Sequence, residues 1–133
     1  MSLDVRQTVA AVIRVWNGAK TDRLERLLAP SYRGHVLGVP GGERDGAGYA
    51  EAIHRFRVAN PGVVFQIVEQ FETGDRCVSR LEARRPGVET GSAFVSQGIN
   101  IARFDEHGRL AQEWAIWSPW LESTQGSRDI KRR

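Results

Sequence analysis

The sequence predicts one α+β domain, and three observations carry that prediction. Apolar residues recur with a helical period up to Asn60. From Val63 to Ser118 they alternate with a period of two, the order of helices first and meandering strands after. The chain has 133 residues, a length that suits a single domain, and it contains no repeat or linker.

Val5, Val9, Val12, Ile13 and Trp16 fall on one face of a first amphipathic helix, closed at Asn17-Gly18. Thr21 and Asp22 suit the start of a second helix through Leu24, Leu27, Leu28 and Ala29, which Pro30 closes. Ser31 to Val39 reads as an irregular strand, and Pro40-Gly41-Gly42 as a loop. A third helix fits Gly46 to Asn60, ended by Pro61-Gly62.

Four strands follow: Val63 to Thr73, Arg76 to Arg84, Ser92 to Phe104 and Arg109 to Ser118. The last two form a hairpin through Asp105-Glu106-His107-Gly108. A three-residue loop with Gly108 in the left-handed conformation pairs Asp105 with Arg109. An unbroken ladder then sets Phe104 opposite Leu110, Ala102 opposite Gln112 and Asn100 opposite Trp114. On that register one face carries Gly98, Asn100, Ala102, Phe104, Leu110, Gln112, Trp114, Ile116 and Ser118. The other carries Ile99, Ile101, Arg103, Ala111, Glu113, Ala115 and Trp117. Both faces are substantially apolar, so one is expected to cover the interior and the other a subunit interface. A slip of one residue would exchange the two.

Composition narrows the function. The single cysteine, Cys77, excludes an internal disulfide framework and a cysteine-based zinc site. Within an alternating strand it reads as a small buried hydrophobe. His35, His54 and His107 are scattered and lack metal-ligand spacing, so no metal is expected. The net charge is +3, of which +2 belongs to the stretch from Glu122 to Arg133. That stretch reads as a solvated basic tail beyond a domain of residues 1–121. No basic stripe with interleaved aromatics argues for nucleic acid. No apolar run has the length of a membrane span, and the opening residues lack the apolar core of a signal peptide, so a cytoplasmic protein is expected.

Several stretches resemble the SnoaL-like polyketide cyclase proteins of the nuclear-transport-factor-2-like superfamily. They are Trp16-Asn17, Leu28-Ala29-Pro30-Ser31-Tyr32 followed by His35, Asn60-Pro61-Gly62, and Thr73-Gly74-Asp75-Arg76 followed by Arg80. The fullest is Gly98 to Trp114, a strand–turn–strand ending in Glu-Trp. The resemblance covers about Val5 to Trp120. It implies a cone in which three N-terminal helices pack on a curved, mostly antiparallel sheet around a pocket. It also implies a homodimer through the outer sheet face, and chemistry that needs no cofactor.

The same resemblance places His35 and Trp114 in the pocket, His35 as a proton carrier and Trp114 as an apolar wall with a ring N–H. Asn100, beside Trp114 on the expected register, suits a ligand carbonyl, and Ile116 continues that wall. Tyr32 and Gln97 are further candidates. The cyclases carry an acid/base Asp four residues after this Trp, and here that position is Ser118. A serine hydroxyl does not do a carboxylate's work at neutral pH, so Ser118 is expected to hydrogen-bond a ligand or water. The family's Gly-Thr-His segment is replaced by Arg84-Arg85-Pro86-Gly87. Arg80, Glu82 and Arg84 share a face that reads first as solvated or interfacial, with Glu82 the best remaining acid should it point inward. Two functions follow. One is an acid/base isomerase, cyclase or hydrolase acting on a small hydrophobic carbonyl compound. The other is a non-catalytic ligand-binding or accessory domain that kept the fold and lost the acid.

Overall fold

A computed structural model describes residues 4–123. The elements are α1 (Val5–Trp16), a 3-10 turn (Thr21–Arg23), α2 (Leu24–Leu27), β1 (Leu28–Val36), β2 (Glu43–Asp45) and α3 (Gly46–Ala59). Then come β3 (Val64–Thr73), β4 (Arg76–Pro86), β5 (Ala93–Phe104), β6 (Leu110–Trp117) and β7 (Leu121–Ser123). The seven strands form one sheet in the order β2-β1-β6-β5-β4-β3, with β7 on β5. Every pairing is antiparallel except β1 with β6.

The α+β class and the meander of long strands stand as expected. The helices do not simply precede the sheet, because β1 and β2 come before α3. The second helix is a single turn, and the chain is extended from Leu28 onward. Pro30 biases Ala29 away from the helical region, and Leu28 pairs instead with Leu110 of β6. The β1–β6 ladder is interrupted between Leu28 and Arg33, so Pro30 sits where its missing N–H costs no ladder bond. The chain also runs two residues beyond the expected boundary, since Glu122 and Ser123 belong to β7. Residues 124–133, the rest of the basic stretch, lie outside the described residues.

Helix α1 buries Val5, Val9 and Val12 of the expected stripe together with Val15, while Ile13 and Trp16 of that stripe are only partly buried. Asp4 caps it by accepting from the Gln7 N–H at 3.0 Å, and Asp45 caps α3 by accepting from the Gly48 N–H at 2.9 Å. The valine stripe packs with Tyr32, Tyr49, Ile53, Phe104 and Leu110. Asn17 ties α1 to the sheet like a short strand. Its Nδ2 donates to the Phe65 carbonyl at 2.9 Å, and its Oδ1 accepts from the Phe65 N–H at 2.6 Å. Between the helices and the inner sheet face lies a cavity of about 760 Å³. Among the described residues, no helix is long and apolar enough to cross a membrane.

Candidate functional site

Which side chains enter the cavity is settled at one point in the hairpin. The turn forms as expected: Gly108 has φ +77°, and the Asp105 N–H donates to the Arg109 carbonyl at 2.9 Å. Phe104 pairs with Leu110. The next pair is Arg103 with Gln112, so Ala111 is an extra residue, a β-bulge. Past it, Ala102 faces Glu113, Ile101 faces Trp114 and Asn100 faces Ala115. The inner face of β5 is the expected one, but that of β6 is reversed, and Glu113, Ala115 and Trp117 point into the cavity. This corrects the face assignment of Trp114, Ile116 and Glu113, and the physical reason is the single inserted residue.

One row of register partners now crosses five strands on the inner face: Cys77 of β4, Ala102 of β5, Glu113 of β6, Gly34 of β1 and Arg44 of β2. Glu113 is 7% exposed. Its Oε2 accepts from the Tyr32 hydroxyl at 2.7 Å, and its Oε1 accepts from Asn100 Nδ2 at 2.9 Å. Arg44 reaches towards it over Gly34, with a guanidinium nitrogen 3.9 Å from Oε2. Burial first, and then the charge of Glu113, push the Tyr32 pKa far above its ordinary value, so this hydroxyl keeps its proton and donates it. Burial pulls the Arg44 pKa down, but Tyr49, Tyr32 and Glu113 together raise it further, and Arg44 stays a cation.

The rest of the lining is mostly apolar and aromatic, including Trp16, Phe56, Phe65, Leu81, Trp117 and Trp120. Trp16 meets Phe65 and Phe56 edge-on, with centroids 5.5 and 5.7 Å apart, and donates through Nε1 to the Tyr49 hydroxyl at 3.0 Å. Ser79 also lines the cavity and accepts from Gln70 Nε2 at 3.1 Å, and Cys77, two residues before it on the same face of β4, is fully buried. Burial pushes the Cys77 thiol pKa up.

The structure thus divides the residues singled out from sequence. Asn100, Glu113 and Ser118 line the cavity, while Tyr32, fully buried in the core, reaches it only through its hydrogen bond to Glu113. Ser118 Oγ is engaged with the backbone, accepting from the Gln97 N–H at 2.9 Å and donating to the Pro119 carbonyl at 3.3 Å. His35, Trp114 and Ile116 lie on the opposite face and do not line the cavity. His35 pairs with Trp114 across β1 and β6, and their rings stack with centroids 5.8 Å apart. His35 Nδ1 sits 3.4 Å from Glu43, and Nε2 sits 3.5 Å from Gln112. A pocket histidine is therefore corrected to an outer-face histidine, because alternation along β1 gives the inward direction to Gly34 and Tyr32.

Arg80, Glu82 and Arg84 are also on the outer face, in the pairs Arg80–Glu69 at 2.7 Å and Arg84–Glu82 at 3.3 Å. Arg44 escaped the sequence reading because Glu43-Arg44-Asp45 has no apolar alternation to mark a strand. Glu113 is readable from sequence, but the continuous register puts it on the outer face. The one available signal was the adjacent apolar pair Leu110-Ala111, both of which are buried. No group of three metal-ligating side chains gathers among the described residues.

Comparison with known proteins agrees with this architecture. The SnoaL-like domain family profile matches residues 9–113. IdmH of Streptomyces antibioticus, a proposed polyketide cyclase, is 24% identical with a TM-score of 0.75, covering 86% of this chain and 92% of its own. A proposed polyketide cyclase from Acidithiobacillus ferrooxidans is 27% identical, with a TM-score of 0.71 over 89% of this chain and 92% of its own. A proposed isomerase of the SnoaL-like family from Agrobacterium tumefaciens is 16% identical, with a TM-score of 0.67 over 86% and 95%. No curated protein sequence matches the chain. With the profile spanning most of its length and the same fold in these structures, the chain belongs to the SnoaL-like domain family.

Proposed function

We propose that the cavity binds a small, largely apolar carbonyl compound and that Glu113 moves a proton on it without cofactor or metal. The observation that carries this reading is a buried carboxylate in an aromatic cavity wall, fixed on both oxygens by Tyr32 and Asn100. A carboxylate held in one orientation in apolar surroundings suits general base work. Glu113 would take a proton from the carbon next to the ligand's carbonyl. The C–H bond breaks, an O–H bond forms on Glu113, and the electron pair passes onto the carbonyl oxygen. Return of the proton to another atom of the enolate isomerises the ligand; alternatively the enolate carbon attacks a second carbonyl, its C=O π pair passes to that oxygen, and the proton held by Glu113 returns to it, closing a ring. In this reading Tyr32 and Asn100 act as positioning residues, Trp16, Trp117 and Trp120 supply the apolar walls, and Ser118 shapes the rim.

The test uses 2-tetralone in D2O, followed by proton NMR. The protein should accelerate exchange of the protons next to the carbonyl, and Glu113→Gln should reduce that acceleration by about 100-fold or more while 2-tetralone still binds. Binding without any acceleration would favour a non-catalytic ligand-binding domain. Two observations support that second reading: His35 lies outside the cavity, and Ser118 has its hydroxyl tied to the backbone.

A second copy of the chain is the partner proposed for the outer face. Ile99 pairs with Ile116, and Ile101 sits between Val78 and Trp114. These side chains form a continuous apolar strip, and its three isoleucines are 39–52% exposed.

A further inference from the structure

We propose that the ligand carries a negatively charged oxygen and that Arg44 is the group that binds it. This rests on reading the cavity as a ligand site and adds the charge of its occupant. A guanidinium carries five N–H donors in one plane, and donors removed from water need acceptors. The Arg44 side chain is 16% exposed, and its Nε is buried with no hydrogen-bond partner among the described residues. Its nearest carboxylate oxygen, Glu113 Oε2, is 3.9 Å away, well beyond the roughly 2.7–2.9 Å of a charge-assisted hydrogen bond. That oxygen already accepts from Tyr32. The hydroxyls of Tyr32 and Tyr49, which also neighbour Arg44, carry lone pairs but no charge.

Aromatic faces hold the guanidinium plane without using a donor. Arg44 Cζ lies 4.2 Å from the Tyr49 ring centroid and 5.7 Å from that of Trp16. The other arginines at the cavity differ. Arg33 and Arg55 are more than half exposed and sit 3.4 and 3.3 Å from Glu43 and Glu51. Arg44 alone of these three is a largely buried cation, held over aromatic faces, with donor capacity left over. An anionic oxygen, carboxylate or enolate, on an apolar body matches both the cation and the aromatic walls. A neutral ligand of the same shape supplies a weaker acceptor and no charge.

Isothermal titration of the whole protein with 2-naphthoate and with its neutral counterpart 2-naphthamide tests this. The wild type should bind 2-naphthoate at least about ten-fold more tightly than the amide. Arg44→Met should abolish that preference by weakening 2-naphthoate about ten-fold more than it weakens the amide. Arg44→Gln takes its place if the methionine variant does not fold. Equal affinity for the two probes in the wild type, or a preference that survives loss of Arg44, overturns the proposal. Failure of both probes to bind overturns this proposal together with the reading of the cavity as a ligand site. Equal binding leaves the cavity reading intact and sinks only the assignment to Arg44.

Discussion

Gly34 is the residue that lets the charged groups of the cavity share one wall. It stands between Glu113 and Arg44 in the cross-strand row. A Cβ at this position would collide with the Tyr32 hydroxyl and lie 3.4 Å from Arg44 Nε. The absent side chain is therefore space used by the Tyr32–Glu113 hydrogen bond. Gly34→Ala should destabilise the fold by about 1–3 kcal/mol, the usual cost of an extra carbon in a packed interior. Urea unfolding followed by tryptophan fluorescence measures this, and a change below about 0.5 kcal/mol would show that the tyrosine has room to move. Nothing in the sequence around Gly34 announces this role. Its near neighbours Tyr32 and His35 are the chemistry-bearing residues of this stretch, and Tyr32 acts at the cavity only through its hydrogen bond to Glu113. Alternation along β1 is readable, but which of its two faces is inner depends on what packs against it.

At the scale of the element, the β5–β6 hairpin carries the most weight. Asp105 organises its turn: Oδ1 accepts from the His107 and Arg109 N–H groups, each at 2.9 Å, and Oδ2 lies 3.4 Å from Arg109 Nε. Its partial burial pushes the carboxyl pKa up, but the two backbone N–H groups and the Arg109 charge pull it down further, and the net shift is downward. A carboxylate with a depressed folded-state pKa contributes stability above its unfolded value, and that contribution is lost as pH falls through the folded one. The relevant window lies below about pH 4. Asp105→Asn should therefore lower the urea midpoint at neutral pH, by about 1 kcal/mol of stability, with the difference shrinking as pH falls through that window. A deficit that stays constant into acid would mean that the charge of Asp105 is not what the turn uses. The sequence exposed this element well: the turn, the left-handed Gly108 and the first pair all form as the residues indicate. The bulge at Ala111 was not legible, because both faces of β6 are partly apolar in either register, and apart from the adjacent Leu110-Ala111 pair nothing in the residues favours the inserted one.

At the scale of the whole molecule, the sheet presents two unlike faces. The inner one closes on the helices around the cavity. The outer one mixes ion pairs at β3 and β4 with the apolar strip of Ile99, Ile101 and Ile116 beside the stacked His35 and Trp114. If a second copy covers this strip, Ile101→Lys should convert a dimer to a monomer, since it places a charge at the strip's centre. Light scattering coupled to size exclusion reads the mass directly. A wild type that runs as a monomer, or a dimer untouched by the lysine, would refute the proposed interface. Because Ile101 points away from the cavity, 2-tetralone binding should be unchanged in the variant.

Much of the protein was determined by its sequence alone. The periods of its apolar residues specify an α+β domain, the apolar stripe of α1 through Val5, Val9 and Val12, and the four long strands, and the residues of the turn specify its tight form at Gly108. The buried alternation of Cys77, Ser79, Leu81 and Ala83 along β4 likewise follows from period two. The tertiary structure alone decided which charged residues meet. Alternation assigns side chains to two faces, but a single inserted residue exchanges them, and the bulge at Ala111 sends Glu113 inward and Trp114 outward. Glu113, Gly34 and Arg44 then become neighbours because hydrogen bonding places their strands side by side, a proximity that separation along the chain does not encode.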